Sequence, residues 1–326
     1  MTGLAIAYAL SGRPDEAGEA FERARALYAA MRHYSQVAAS AIHQLKLVAL
    51  PYRTADIDLR RRLEADFESA LELSRGTLSV DDWTSYGHIP LLCLEGKWAE
   101  ARAIGDVAMG SRFGVSSFSL DDVAALARDQ GRVSAAWDVI HRLLPDGPDS
   151  EVDQTFFGPG SRLQRVAVDL ALDVGDLQLA AEWIAAHQRW LDLSGATVYR
   201  PHHKLLLARH ERVSGRLDQA LVHAERALEI ASDPAQPPVT LAAHRTLGEL
   251  LTASGRHAEA ANHLREAVSL ADACAAPFER ALTLVAQAEL AVATNDDPAA
   301  LLAEAREICE RLEARPTLER IAAITC

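Results

Sequence analysis

A phosphate-binding loop, GxxxxGK[ST], sets a lysine behind spaced glycines so that backbone amides and an ammonium cradle the phosphates. Lys46, Lys97 and Lys204 all lack those glycines, which argues against ATP hydrolysis by this chain. Neither HExxH nor GxSxG occurs, so zinc-dependent and serine-dependent hydrolysis have no visible home. The densest histidine group is His202, His203 and His210 in PHHKLLLARH. His203 and His210 could share a helix face, but a metal would want a third ligand and groups behind it that orient the ligands. A solvated helix surface is the plainer reading, as it is for His257 and His263. Asp81, Asp82, Asp121 and Asp122 are the acids an enzyme would use, although first-turn positions on helices explain them through the helix dipole. Two classes therefore stay open, a binding module and an enzyme with a site hidden among central acids. Desolvated, mutually close ionisable groups in a central cleft would favour chemistry, and a continuous groove with solvated charges would favour binding.

Other reactive or sticky residue types are scattered. Cys93, Cys274, Cys309 and Cys326 show no CxxC spacing, so neither a disulfide framework nor a zinc ribbon is indicated, and no cofactor is implied. Arg60, Arg61 and Arg62 are followed by Glu64 and Asp66, the pattern of a solvated face with i,i+4 pairs. Trp98, Trp137 and Trp183 fall where helices pack, whereas Trp83 and Trp190 lie nearer helix ends and suit either a groove or a surface anchor. A net charge of −13 disfavours a phosphate-tracking surface, hence direct nucleic-acid binding. No apolar run reaches the roughly 18 residues of a membrane span, and no basic segment precedes the first apolar stretch. The expected location is cytoplasmic, with no membrane partner.

The elements that position these residues are helices. Hydrophobic residues make up 49% of the 326 positions and aromatics only 6%, with Ala and Leu dominant, a composition that favours helix over strand. Six segments share a helix-ending Gly and a small residue five positions later: Gly12 and Ala17, Gly96 and Ala101, Gly131 and Ala136, Gly175 and Ala180, Gly215 and Ala220, Gly255 and Ala260. The Ala residues are spaced by 84, 35, 44, 40 and 40. One more step of 40, from Gly255, reaches Asn295, which can replace Gly in a left-handed cap. The interval of 84 hides a degenerate repeat with halves HYSQVAASAIHQLKLVAL and LRRRLEADFESALELS around Pro51. After each turn apolar positions recur at i, i+4 and i+7, as in Ala17, Phe21, Ala24 and Ala260, Leu264, Ala267. Ala5 and Gly248 would let paired helices approach closely. Ser79, Ser119 and Ser150 each precede an Asp by three residues, approximating capping boxes at helix starts. Residues 75–88 and 143–161 read as loops. In the second, Phe156 and Phe157 either seal a gap between repeats or form a docking loop.

This frame resembles the tetratricopeptide repeat, most closely over 1–27 and 237–270. The resemblance implies an all-α α-solenoid of about eight antiparallel helix pairs in a right-handed superhelix. It would be one array over 1–326, with sub-blocks 1–147 and 157–326 joined by a loop at about 145–160. Its concave face would hold a protein or peptide partner or a small effector. The C-terminal AREICERLEARPTLERIAAI looks like the end of the repeat arrays in LuxR-type large ATP-binding transcriptional regulators and in cyclase/ATPase multidomain signalling proteins. That likeness implies a non-catalytic sensor region of a larger bacterial regulator with ATPase and DNA-binding domains. Against that likeness the chain would begin inside a first helix and end before the DNA-binding segment, as expected of a fragment, a truncated reading frame or an excised domain alike.

Overall fold

The helix-ending glycines act through one piece of backbone geometry. Gly12, Gly96, Gly131, Gly175, Gly215 and Gly255 all have φ between 73° and 78°, and Asn295 has φ 60°. In each turn the next amide reaches back to a carbonyl of the preceding helix, as Arg13 N to Tyr8 O at 2.9 Å and Arg216 N to Glu211 O at 2.9 Å, which satisfies an otherwise orphaned acceptor. The following helix then runs back antiparallel. Its Ala (Ala17, Ala101, Ala136, Ala180, Ala220 or Ala260) is wholly buried in the seam, and Phe21, Ala24 and Leu264 are buried beside theirs.

The computed structural model describes residues 1–74, 87–110, 119–152 and 157–325. Ser79, Asp81, Asp82, Trp83, Phe156 and Cys326 lie outside the described residues, as does most of the expected loop at 75–88. The described residues form helices and no strand. Eight pairs follow one another: α1 (Thr2–Leu10) with α2 (Pro14–Ala30); α3 (Tyr34–Gln44), prolonged by a π turn (Leu45–Ala49) and α4 (Leu50–Tyr52), with α5 (Ile57–Ser74); α6 (Ile89–Leu94) with α7 (Trp98–Gly110); α8 (Leu120–Asp129) with α9 (Val133–Leu143); α10 (Phe157–Asp173) with α11 (Leu177–Ser194); α12 (Arg200–Val213) with α13 (Leu217–Ser232); α14 (Pro237–Ala253) with α15 (His257–Ala273); and α16 (Pro277–Ala293) with α17 (Ala299–Leu312). A last helix, α18 (Arg315–Thr325), follows.

Several local expectations need correction. Ser119 occupies the N-cap of α8, but its side chain makes no capping bond. Ser150 starts no helix; it follows a short 3-10 turn (Gly147–Asp149), and its carbonyl accepts from Trp190 Nε1 at 3.2 Å. Helix α10 starts at Phe157, inside the expected loop, because Pro159 and Gly160 are tolerated in a first turn whose amides need no helical partner. Arg60 is not on a solvated face. It is 1% exposed and donates through Nη1 to Cys274 O at 3.2 Å, because α5 is covered by the turn between α15 and α16.

That covering belongs to a larger closure. Thr197 N, between α11 and α12, donates to Leu10 O at 2.9 Å. The turn at Gly96 sits against Pro277 and Leu312, with Trp98 edge-on to Phe278 at 4.6 Å between centroids. Gln130 donates to Leu312 O at 3.1 Å, and Gly131 lies beside Pro316. Turns of the first four pairs thus dock on segments about five pairs further along, and the first helices of the pairs face one interior.

Candidate functional site

The interior is a cavity of about 280 Å³. Its floor is ionic. Lys46, from the π turn after α3, reaches Asp121 Oδ1 at 2.7 Å and Asp122 Oδ2 at 2.9 Å. Arg162 of α10 reaches Asp122 Oδ1 at 3.0 Å and lies 3.9 Å from Asp121. Both aspartates are 1% exposed. Burial raises the Asp121 carboxyl against the pull of Lys46, whereas at Asp122 the burial penalty is overcome by Arg162 and Lys46 and the carboxyl is held low. Lys46 is held charged, burial being outweighed by the two aspartates. Asp129, also on α8, is pushed up to about 6 by burial although Arg128 lies 3.2 Å away.

The remaining walls mix types. Arg165, one turn beyond Arg162, holds its guanidinium 5.7 Å from the Tyr199 ring centroid. Burial first and Arg162 second push it down to about 10. His202 lines the same space, its ring pushed well below the usual range by burial and then by Arg165. Cys93 faces the cavity too, and burial holds its thiol up. The apolar part comes from Leu50, Leu94, Trp98, Val239, Leu241 and Phe278.

The solvated reading of PHHK is therefore corrected. His202 faces the cavity and His203 is 5% exposed. His203 Nδ1 lies 3.1 Å from His187 Nδ1, and His187 Nε2 lies 2.9 Å from Ser161 Oγ. Ser161 and His187 have the spacing of a nucleophile and its base, but both are wholly buried and the second imidazole nitrogen faces another histidine rather than a carboxylate. That arrangement packs α10 to α11 and α12. His263 pairs with His244, Nδ1 to Nδ1 at 2.8 Å. Trp183 and Trp190 are core residues, 1% and 2% exposed, and Phe157 packs on Trp190 and Tyr199. Among the described residues, Glu64, Glu68 and His88 form one group whose ligand atoms lie within 4.8 Å of one another. It was not foreseen; it sits on α5 and at the start of α6, away from the cavity lining.

None of the repeat-framing residues lines this cavity. They hold the turns and seams, while the site draws on first helices of pairs far apart in sequence. In the sequence Asp121 and Asp122 read as first-turn dipole partners, and Arg162 and Arg165 were missed; the local signal that could have found them is a spacing that lets two arginines share a helix face.

No helix among the described residues is long and apolar enough to cross a membrane. No curated protein matches the sequence. Among solved structures the chain is similar to the nearly identical TPR-like repeats of a kinesin light chain from Podosopora anserina, at 18% identity, covering 64% of this chain and 93% of that one with a TM-score of 0.38. The tetratricopeptide repeat family matches residues 199–273, the span of the pairs α12/α13 and α14/α15.

Proposed function

We propose that the chain is one non-catalytic binding array whose interior holds a small effector, and that it serves in the cytoplasm as the sensing part of a larger regulator with ATPase and DNA-binding domains. Tetratricopeptide repeats generally bind protein partners, and an open solenoid offers a peptide its continuous inner face. The observation that carries the small-effector reading is the docking of early turns on late helices. It covers that face and leaves about 280 Å³, near the lower end of the range typical of small-molecule pockets. The larger regulator rests on the resemblance at the C-terminus alone.

The test separates sizes of ligand. The purified chain is dialysed against the low-molecular-weight fraction of a bacterial extract, and its melting temperature and amide exchange are measured. Stabilisation with protection of α8 and α10 is expected. Stabilisation only by the macromolecular fraction, with protection elsewhere, would overturn the small-effector reading. Phosphate release from ATP and retention of duplex DNA should both be absent.

A second reading has one observation behind it, since the interior does hold desolvated ionisable groups close together. Asp121 and Asp122 are tied to Lys46 and Arg162; Asp129 also has Arg128, but burial raises it to about 6, so it is the group placed to move a proton. Turnover of any extract component that survives repurification and disappears in Asp129→Asn would establish an enzyme in place of a sensor.

A further inference from the structure

The charges around the cavity do not all cancel. Lys46 and Arg162 are matched by Asp121 and Asp122. Asp129 shares Arg128 with Asp173, and Glu279, at the far wall, is bonded to Arg245. Arg165 is left over: no carboxylate pairs with it among the described residues, and its Nε is sealed from solvent with no acceptor. A guanidinium carries five donors and cannot shed its charge at neutral pH, so leaving it half-buried with a sealed Nε and no carboxylate is costly. Next to it, His202 Nδ1 is likewise buried and unpartnered. The Tyr199 ring packs beside the guanidinium, and Tyr199 also lines the cavity. The Arg165, Tyr199 and His202 side chains, each able to donate, thus line one space, opposite the apolar wall of Leu50, Leu94, Trp98, Val239, Leu241 and Phe278.

We propose that the effector is a small monocarboxylic acid, its carboxylate seated on Arg165 with Tyr199 and His202 as further donors and its apolar body against the opposite wall. The proposal rests on the interior being the binding site. A planar carboxylate matches the guanidinium fork with two parallel bonds. A single negative charge suffices, because Arg165 alone lacks a carboxylate partner; a phosphate dianion would bring its second charge towards Asp121, whose charge already acts on Arg165. Burial and Arg162 already disfavour the Arg165 cation, and an anion relieves both.

Octanoate, 1-octanol and octylammonium share one apolar body and differ in head group, so calorimetric titration of the full chain with each isolates the charge. Amide exchange in α8 and α10 reports whether the probe is inside. Octanoate should bind at least about tenfold tighter than 1-octanol, and octylammonium no tighter than 1-octanol. In Arg165→Gln the octanoate advantage should vanish while the melting temperature stays at or above that of the parent, since an unpaired buried charge has been removed. Should that variant fail to fold, Tyr199→Phe keeps the ring beside the guanidinium and should weaken octanoate several-fold without affecting 1-octanol. Equal affinity for octanoate and 1-octanol, with α8 and α10 protected by both, overturns the carboxylate seat and leaves the interior as the binding site. Failure of every probe to protect α8 and α10 overturns both. A tenfold advantage that persists in both variants overturns the role given to Arg165.

Discussion

Lys46 stands between two carboxylates that water cannot reach, and its removal shows what the interior costs when charges are unmatched. Lys46→Met keeps the length and most of the volume but leaves Asp121 and Asp122 with Arg162 alone. Breaking one side of a buried ionic cluster should destabilise the chain by about 3–5 kcal/mol, read as a lower urea midpoint; a midpoint within error of the parent would mean that water reaches the cluster. Histidines set a second dependence. Burial pushes His203 from 6.5 down to about 4 and His187 well below 6.5. Below pH 6.5 the unfolded chain therefore binds protons that these folded rings refuse, so stability is complete above that pH and falls as the pH drops towards 4. His203 alone accounts for about 3 kcal/mol across that window. In His203→Gln the loss of stability between pH 6.5 and 4 should be visibly shallower in pH-dependent urea unfolding. An identical slope would place the proton uptake elsewhere.

Helix pairs are decided by single small residues. At Gly248 of α14 an added Cβ would lie 2.5 Å from both Cγ and Cδ2 of Leu264 on α15, and Leu264 is wholly buried. Gly248→Ala would gain about 1 kcal/mol of helix propensity, but wedging the two helices apart costs about 1–3 kcal/mol. The variant should melt below the parent, and a rise in melting temperature would show that the seam has slack. Such seams were legible in the sequence because they are local: a Gly with positive φ and a small residue five positions later describe one turn completely. The hidden pair α3/α5 has no such Gly and was legible instead from the interval of 84, about twice the usual spacing. The cavity was not. Lys46 and Asp121 are 75 residues apart, and Arg60 and Cys274 are 214 apart, so no window of sequence contains both partners. PHHK looked solvated because nothing within α12 says that α10 and α11 cover it with Ser161 and His187. Arg60 looked solvated because its neighbours Arg61 and Arg62 are exposed, while the turn that buries it lies at the other end of the chain.

At the scale of the molecule, closure changes what a repeat protein does when it is perturbed. In an open solenoid each repeat touches only its neighbours, so stability is a sum along one dimension and damage stays local. Here the turn at Gly96 touches Pro277 and Leu312, whereas the turn at Gly215 has nothing within 4 Å of an added Cβ. The two glycines share a left-handed backbone, φ 74° and 78°, which makes them a matched pair. Gly215→Ala should cost only the left-handed penalty of roughly 1 kcal/mol. Gly96→Ala carries the same penalty and in addition sets a methyl 2.7 Å from Pro277 Cγ, a contact that forces the docked segments apart. Its total cost should be about 2–4 kcal/mol, with amide protection lost in α16 and α17 although the substitution lies in the turn before α7. Probes entering the interior should then bind more weakly to Gly96→Ala than to Gly215→Ala, because the walls on α6, α8 and α16 no longer face each other at the parent spacing. If the two variants shift the urea midpoint equally and α16 keeps its protection, the docked turns contribute nothing, and the chain behaves as an open array with its inner face available to a peptide.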